Sequence, residues 1–134
     1  MSKLIWIFFF GCLFFVSCKK NDDYNNEGQV IVKGTNKLIV TVAHHTYTLP
    51  DIRVYLKNNT TVFPGSDTSL YEWNLLSDPS GIAVFKDLFP GNYFLYAEGF
   101  DQGIGMNVIG ATPAILNSST LINNELYVTL YVTE

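Results

Sequence analysis

The side chains best suited to bind a metal or transfer a proton are two adjacent histidines, His44 and His45. Successive residues of a β-strand point to opposite faces, so a strand at this position would keep the two rings apart. Either ring could join a distant aspartate or glutamate, but no zinc-ligand spacing accompanies them. The sequence therefore predicts one histidine at a strand end and one at the surface, with no metal site and no cofactor.

Other arrangements that perform catalysis are also missing from the sequence. It contains no nucleophile elbow, no glycine-rich phosphate loop and no serine–histidine–aspartate arrangement. No spacing favours a pair of acids for glycoside hydrolysis. The formal net charge is -4, and a nucleic-acid binder needs a clustered basic footprint instead. These observations predict a protein that is not an enzyme and does not bind nucleic acid.

The N-terminal segment is strongly apolar and ends close to a cysteine, Cys18. Lys3 precedes an almost unbroken apolar run over residues 4–16, which is shorter than the roughly 20 residues that span a bilayer. A positive residue, a short apolar run and a small residue are typical of a secretory signal peptide, predicted here for residues 1–17. The chain beyond Cys18 has no cysteine, so neither a disulfide nor a thiolate metal site is expected there.

The sequence Val16-Ser17-Cys18 resembles the lipobox of bacterial lipoproteins, in which a small residue precedes the cysteine that is acylated. The resemblance implies a diacylglyceryl group on Cys18, palmitate, and a lipid anchor in the outer membrane, because several acyl chains hold a protein firmly. Residues 18–27 are polar without periodicity, which predicts a flexible tether. Their lysines and paired acids resemble the surface-export signal of certain Gram-negative lipoproteins, and a merely solvated linker is the alternative.

Beyond residue 27, hydrophobicity alternates with a period of two. Runs of this kind predict strands over residues 37–45, 52–57, 71–76 and 126–133. Turn-forming residues, such as Pro64-Gly65 and Pro90-Gly91, separate the runs. The chain has 134 residues and is 48% hydrophobic, enough for one domain with a buried core. The pattern predicts a single all-β sandwich of about seven strands over residues 28–134.

One stretch, over residues 77–97, carries a more specific pattern. It matches the motif Asp-x-x-Gly-x-Ala-x-Phe-x-x-Leu-x-Pro-Gly-x-Tyr-x-Leu. The matching residues are Asp78, Gly81, Ala83, Phe85, Leu88, Pro90, Gly91, Tyr93 and Leu95. The stretch resembles the prealbumin-like domains called carboxypeptidase-regulatory-like domains, and this resemblance implies a Greek-key β-sandwich. It implies little about function.

The same stretch makes local predictions. Residues 78–81 are expected to form a tight hairpin turn, with a glycine at the position of positive φ. Period two sorts the side chains that follow into inward and outward sets. The inward residues are Ala83, Phe85, Tyr93, Leu95 and Ala97, and the outward residues are Phe94, Tyr96 and Glu98. The related collagen-binding repeats form an isopeptide bond beside a buried acid, and Ala97 occupies the acid's position, so no such bond is expected.

Six aromatic side chains are expected to point outward as candidate ligand contacts: Tyr71, Trp73, Phe94, Tyr96, Tyr127 and Tyr131. Exposed rings suit sugars and protein partners, although rings on an outer sheet face can also pack beneath loops. Two functions follow. The first is a recognition module for a glycan or protein at the cell envelope, and the second is a structural or assembly subunit of an envelope or surface complex. An exposed aromatic strip favours the first, and an unprotected edge strand or apolar patch favours the second.

Overall fold

The computed structural model describes residues 33–134. The predicted signal peptide over residues 1–17, the acylated Cys18 and the tether over residues 18–27 lie outside the described residues. Within the described part, eight strands and one short 3-10 turn, Thr68–Leu70, form the domain. The strands are β1 Asn36–His44, β2 Tyr47–Thr48, β3 Arg53–Asn58, β4 Trp73–Leu76, β5 Ile82–Leu88, β6 Gly91–Asp101, β7 Met106–Leu116 and β8 Glu125–Tyr131.

The strands form two sheets, and the predicted all-β sandwich is confirmed. In the first sheet, β1 is central because residues 38–41 pair with β5 in antiparallel and with β8 in parallel orientation. The end of β1 also pairs with the short β2. The second sheet is antiparallel throughout, in the order β4-β3-β6-β7. Within residues 33–134, no helix is long and apolar enough to cross a membrane.

The core lies between the two sheets and consists of residues that alternate along the strands. Leu38, Val40 and Val42 of β1 are fully buried, as are Val54 and Leu56 of β3. Each fully buried side chain of this kind stabilises the fold by about 1.5–3 kcal/mol relative to an exposed one. The inward residues predicted from the motif are confirmed as buried. They are Ala83, Phe85, Tyr93, Leu95 and Ala97.

The connection between β4 and β5 is a tight turn, but it does not form the predicted hairpin. Oδ1 of Asp78 accepts hydrogen bonds from the backbone N–H groups of Ser80 and Ile82, at 2.8 and 2.9 Å. Gly81 has a φ of 80°, as predicted. The hairpin prediction is wrong because β4 pairs with β3 and β5 pairs with β1, so the turn carries the chain from one sheet to the other.

The turn is held in this orientation by the buried hydroxyl of Ser77. The Ser77 hydroxyl donates to the carbonyl of Leu49 at 2.8 Å and accepts from the N–H of Ile52 at 3.0 Å. These bonds tie the end of β4 to the segment that enters β3. The chain that leaves β4 therefore starts at the edge of its own sheet and crosses to the other one.

On the opposite side of the sandwich, β7 and the chain after β8 approach closely. Ile109 and Thr133 exchange two backbone hydrogen bonds of 2.8 Å each. At Gly110, an added Cβ would lie 2.3 Å from the carbonyl oxygen of Tyr131. This close approach of two backbones requires a glycine in β7.

We expect Gly110→Ala to destabilise the fold by about 1–3 kcal/mol, because the new methyl group must displace the backbone of β8. The measurement is the free energy of unfolding from urea denaturation. The matched control is Ala111→Ser, which changes the exposed neighbour and should alter stability by about 0.5 kcal/mol or less. Equal unfolding midpoints for Gly110→Ala and the unsubstituted chain would show that this contact does not constrain the fold.

Candidate functional site

Three of the six aromatic residues predicted as outward contacts are buried. Phe94 and Tyr96 lie on the outer face of the second sheet, as the alternation predicts, but the loop that joins β3 to β4 covers them. Tyr71 belongs to that loop, and its ring stacks on that of Tyr96. The ring of Phe63 in that loop packs against those of Phe94 and Tyr96, with centroids 5.7 and 6.0 Å apart. The prediction that these three rings are exposed is therefore wrong, because the loop folds back over the sheet.

The other three aromatic residues are exposed, but they lie on different sheets. Trp73 of β4 is 42% exposed, whereas Tyr127 and Tyr131 of β8 are 63% and 64% exposed. The hydroxyl of Tyr127 donates to Glu125 on the same strand, at 2.5 Å. Because β4 and β8 belong to opposite sheets, the three rings do not form the continuous strip expected for a glycan platform.

A groove opens where the two sheets face each other at β4 and β5. Among the described strands, β4 pairs only with β3 and β5 pairs only with β1, so each has one unpaired edge on this side. The groove has a volume of about 410 Å³. Its lining residues are Glu72, Trp73, Asn74, Leu75, Val84, Phe85, Lys86 and Leu88. Unpaired N–H and C=O groups therefore border a largely apolar trough.

The groove continues beyond Trp73 into a second cavity of about 460 Å³. The two cavities share Trp73, Lys86 and Leu88, and the second also contacts the half-exposed ring of Phe89. Together they form an elongated, open channel beside β5, which we name the β4–β5 groove. Long apolar channels bordered by strand edges suit an extended peptide better than a compact small molecule.

The lining of the β4–β5 groove carries three charged residues, Glu72, Lys86 and Asp87. The carboxylate of Glu72 is already paired, because it accepts from Nζ of Lys57 at 2.7 Å and from the N–H of Asn58 at 2.9 Å. Burial has the largest single effect and raises the pKa of Glu72, but the hydrogen bonds together outweigh it, so the pKa is lowered. Lys86 and Asp87 are both exposed. The groove thus offers apolar contact along β4 and one charge of each sign on β5.

The outer edge of β7, on the other side of the sandwich, is interrupted at two points. Pro113 of β7 lies opposite Phe94 of β6. Proline has no N–H, so its nitrogen must face the outer edge of the sheet, and that edge lacks one donor there. Further along the same edge, the bridge between Ile109 and Thr133 joins β7 to the chain after β8. Within the described part of the chain, neither a proline nor a bridge of this kind interrupts the free edges of β4 and β5 at the groove.

A second cluster of functional side chains lies at the end of β1, around the buried His44. The side chains of His44 and Asp101 are each only 1% exposed, and Nδ1 of the histidine lies 2.8 Å from Oδ2 of the aspartate. The same Oδ2 accepts from the hydroxyl of Tyr47 at 2.5 Å, and Oδ1 accepts from the N–H of Gly103 at 2.7 Å. Nε2 of His44 faces Oε2 of Glu134 at 3.0 Å. A carboxylate thus lies at each nitrogen of one buried imidazole.

The two histidine rings stack instead of pointing apart. Their centroids are 4.2 Å apart. His45 has a φ of 53° and lies in the turn after β1, so strand alternation no longer applies to it. The expectation that the two rings face opposite ways is wrong for this reason. A ligand atom of each histidine and one of Glu134 all lie within 4.8 Å of one another.

The carboxylates and the burial of His44 act against each other on its protonation. The hydrogen bond with Asp101 has the largest effect and raises the pKa of His44 above its ordinary value of 6.5, burial opposes it, and Glu134 adds to the rise. The hydrogen bond from Tyr47 contributes most to lowering the pKa of Asp101. The charged forms of both groups are therefore favoured in the folded chain.

Part of this arrangement had a signal in the sequence and part did not. The histidine pair was visible at once, but Tyr47 and Asp101 carried no spacing that linked them to it. Asp101 lies 57 positions from His44 in the chain. Only the packing of one sheet on the other, which places the end of β6 beside the end of β1, brings the two together.

The raised pKa of His44 makes stability depend on pH in a defined direction. Protonation of His44 stabilises the fold fully below pH 6.5, and this contribution is lost as the pH rises through the higher pKa of the folded state. In a chelating buffer, the free energy of unfolding should fall between pH 6.5 and the mildly alkaline range. Asp101→Asn should flatten this dependence.

The control for that experiment is Glu72→Gln, which removes a surface carboxylate whose lowered pKa affects stability only in acid. It should retain the slope of the unsubstituted chain above pH 6.5. A slope that Asp101→Asn leaves unchanged would contradict the role assigned to the His44–Asp101 pair.

Comparison with known proteins gives matches to solved structures only. No protein-family model matches the chain, and no curated protein matches it. The group B streptococcus pilus 2b backbone protein superposes with a TM-score of 0.52 and 16% identity, over 73% of this chain and 40% of that one. BcpA, the major pilin subunit of Bacillus cereus, superposes with a TM-score of 0.50 and 13% identity, over 75% of this chain and 30% of that one.

A variant of the same Bacillus cereus subunit gives a TM-score of 0.51, again with 13% identity. The chain spans 30% to 40% of the length of these structures. At such low identity the likeness concerns the fold. The domain is a β-sandwich similar to one found within these two pilus subunits.

Proposed function

We propose that this chain is a non-catalytic structural subunit of a cell-surface assembly, and that it binds a neighbouring protein subunit along the β4–β5 groove. The proposal depends on one observation: β4 and β5 each have a free edge, and these two edges face each other across an apolar trough. Soluble domains usually blunt such edges with charges, proline or covering loops. Here the β7 side has Pro113, whereas β4 presents Trp73 and Leu75.

The occupant that best fits the groove is an extended segment of a partner protein, which adds to the sheet as a strand. Its backbone would pair with the free edge of β4 or β5, and its alternate side chains would enter the trough. Trp73 and Leu75 point to the same side of β4 because they are two residues apart. A partner segment with apolar residues at alternate positions is complementary to this lining.

The likeness to pilus subunits supports the same proposal. The two proteins named above are a major pilin subunit and a pilus backbone protein, so their sandwiches belong to pilus subunits. The identity is low and the shared region is a fraction of their length, so the proposal depends on the groove and takes the comparison as support. A surface location and protein partners follow from it.

Recognition of a glycan is less well supported than assembly. Three of the six candidate rings are buried, and the exposed ones are divided between the two sheets. Tyr127 and Tyr131 lie on the same face of β8, and the third exposed ring, Trp73, lies on the other sheet. Recognition of a protein partner, in contrast, is the same event as assembly at the groove.

The predicted lipid anchor fits a surface subunit and is part of the proposal. Acylation of Cys18 in a signal peptide–lipobox arrangement would attach the domain to the outer membrane through a short polar tether. The resemblance to carboxypeptidase-regulatory-like domains is compatible with the tight turn over residues 78–81 and with the buried motif residues. It adds a proposed fold relationship and no activity.

Charges placed in the groove test the assembly proposal. We expect Trp73→Lys combined with Leu75→Lys to abolish incorporation of the chain into high-mass surface complexes, because a buried strand cannot pair beside unpaired charges. The measurement is the size distribution of the chain after mild cross-linking of cells that express it. The matched control is Tyr127→Lys combined with Tyr131→Lys, which places the same charges on equally exposed aromatic positions away from the groove.

Assembly of the groove variant at the same level as the unsubstituted chain would exclude the groove as the docking site. Loss of assembly in the β8 control alone would move the site to the Tyr127 face. A glycan array with the purified chain addresses the other function, and specific binding that depends on Tyr127 or Tyr131 would support recognition of sugars instead.

The anchor has its own test. Cys18→Ala should remove the acyl chains detected by mass spectrometry and release the domain from the membrane fraction, since the thiol is the only attachment point proposed. Protease treatment of intact cells should digest the domain of the unsubstituted chain if it faces outward. Retention of Cys18→Ala in the membrane would contradict lipid anchoring, and protection of the domain until lysis would contradict surface exposure.

A further inference from the structure

The end of β1 and the chain after β8 bring together three side chains that commonly bind transition metals. We propose that His44, His45 and Glu134 form a binding site for a divalent transition-metal ion of the zinc class. One ligand atom from each lies within 4.8 Å of the other two, and Nε2 of His44 is already 3.0 Å from Oε2 of Glu134. This site replaces the expectation of no metal site, which depended on strand alternation between the two histidines.

The hydrogen bond of Nδ1 with Asp101 leaves Nε2 of His44, which faces Glu134, as the nitrogen that can bind a metal ion. Nδ1 lies against Asp101, whose carboxylate can only accept, so Nδ1 carries the hydrogen. In the neutral imidazole, Nε2 then holds a lone pair that faces a carboxylate oxygen of Glu134. Two acceptors at 3.0 Å repel each other unless a cation lies between or beside them. That cation is either a proton or a metal ion.

Asp101 is positioned as the outer partner of a metal-bound histidine. It accepts from His44, from the hydroxyl of Tyr47 and from the N–H of Gly103, so its carboxylate is fixed and ionised. A carboxylate at the far nitrogen orients an imidazole and strengthens it as a ligand. The buried pair of His44 and Asp101 thus has the geometry of a ligand and its support.

The backbone at His45 directs the second ring to the same place. β1 and β2 are joined by two residues, His45 and Thr46, and His45 has a φ of 53°. A positive φ at the first of two hairpin residues favours glycine, and a histidine there has a conformational cost. This backbone conformation places the ring of His45 against that of His44, where the two rings stack. Strained residues of this kind are concentrated at functional sites.

The donor set selects the chemical class of the ion. Two imidazole nitrogens and one carboxylate oxygen suit Zn²⁺ and its neighbours in the first transition row, whereas Ca²⁺ and Mg²⁺ prefer sites made of oxygen alone. Zinc bonds of about 2.0–2.2 Å place tetrahedral ligand atoms about 3.4 Å apart, which lies between the 3.0 Å of the His44–Glu134 contact and the 4.8 Å limit of the three atoms. His45 and Glu134 are exposed and can adjust around the fixed His44. Water would complete the coordination.

The bound ion would join two distant parts of the chain. His44 and Glu134 are 90 positions apart, and the segment before Glu134 is held by hydrogen bonds of Val132 with Ala43 and of Thr133 with Ile109. An ion that binds the folded chain only should raise its melting temperature. At a free Zn²⁺ concentration about 100 times the Kd, the rise should be about 10 °C.

The test uses the ring nitrogens as the readout, because the chain has only two histidines. The full chain is purified, its thiols are alkylated so that they cannot bind zinc, and nitrogen-15 NMR spectra of the imidazoles are recorded during titration with ZnCl₂. We expect both histidines to shift with 1:1 stoichiometry, with His44 bound through Nε2 and protonated at Nδ1. MgCl₂ should cause no shift.

Three variants and one control complete the test. His45→Asn tolerates a positive φ, and Glu134→Gln keeps the size of the exposed side chain, so each removes one ligand while the fold is retained. Both should abolish the zinc-dependent rise in melting temperature. Asp101 orients His44 and does not bind the ion itself, so Asp101→Asn should weaken zinc binding about 10- to 100-fold. Glu72→Gln should bind zinc as the unsubstituted chain does.

The proposal is overturned if Zn²⁺ leaves the imidazole spectra unchanged, in which case a proton alone links His44 to Glu134. It is also overturned if His45→Asn and Glu134→Gln bind zinc as tightly as the unsubstituted chain, or if Mg²⁺ competes equally. None of these results bears on the groove, because the assembly test changes β4 and leaves the end of β1 intact.

Discussion

The path of the chain between β4 and β5 determines which surfaces of this domain are open. A hairpin at this turn would pair the two strands and leave no groove. The buried hydroxyl of Ser77 instead ties the end of β4 to the carbonyl of Leu49 and the N–H of Ile52, and the turn stabilised by Asp78 then crosses to the other sheet. Each sheet consequently ends in a strand with one unpaired edge, and the two edges face each other.

The far side of the sandwich shows why this opening is specific. There the sheets also end in adjacent strands, but Gly110 allows the backbone of β7 to approach that of β8, and the bridge between Ile109 and Thr133 joins them. Pro113 removes a donor from the outer edge. Strand addition at the β4–β5 groove would join two different surfaces of neighbouring subunits. Such a contact is heterologous, because the two subunits use different surfaces. Heterologous contacts that do not close into a ring repeat head to tail and form a polymer.

The sequence predicted what local periodicity controls and missed what distant pairing controls. Six of the eight strands and the inward residues of the motif followed from period two, because a half-buried strand must alternate, whereas β2 and β7 were not predicted. The partner of β4 did not, since no local pattern indicates which sheet a strand after a turn will join. Phe94 and Tyr96 were assigned to the correct face, but their burial depends on a loop whose folding has no periodic signal, and Tyr71 belongs to that loop instead of the predicted strand. The orientation of His45 depends on a single backbone angle.

The polar cluster and the groove show two ways in which this sandwich departs from a simple apolar core. An imidazole and a carboxylate buried together would be costly if either lacked its partner, so their presence restricts how the ends of β1 and β6 can be aligned. Because β1 is central to one sheet and β6 is internal to the other, that restriction fixes the two sheets relative to each other at one end. The β4–β5 groove needs such a restraint. A trough bordered by two sheets keeps its width only if the sheets cannot slide, and the His44–Asp101 pair supplies a directional contact that apolar packing alone does not.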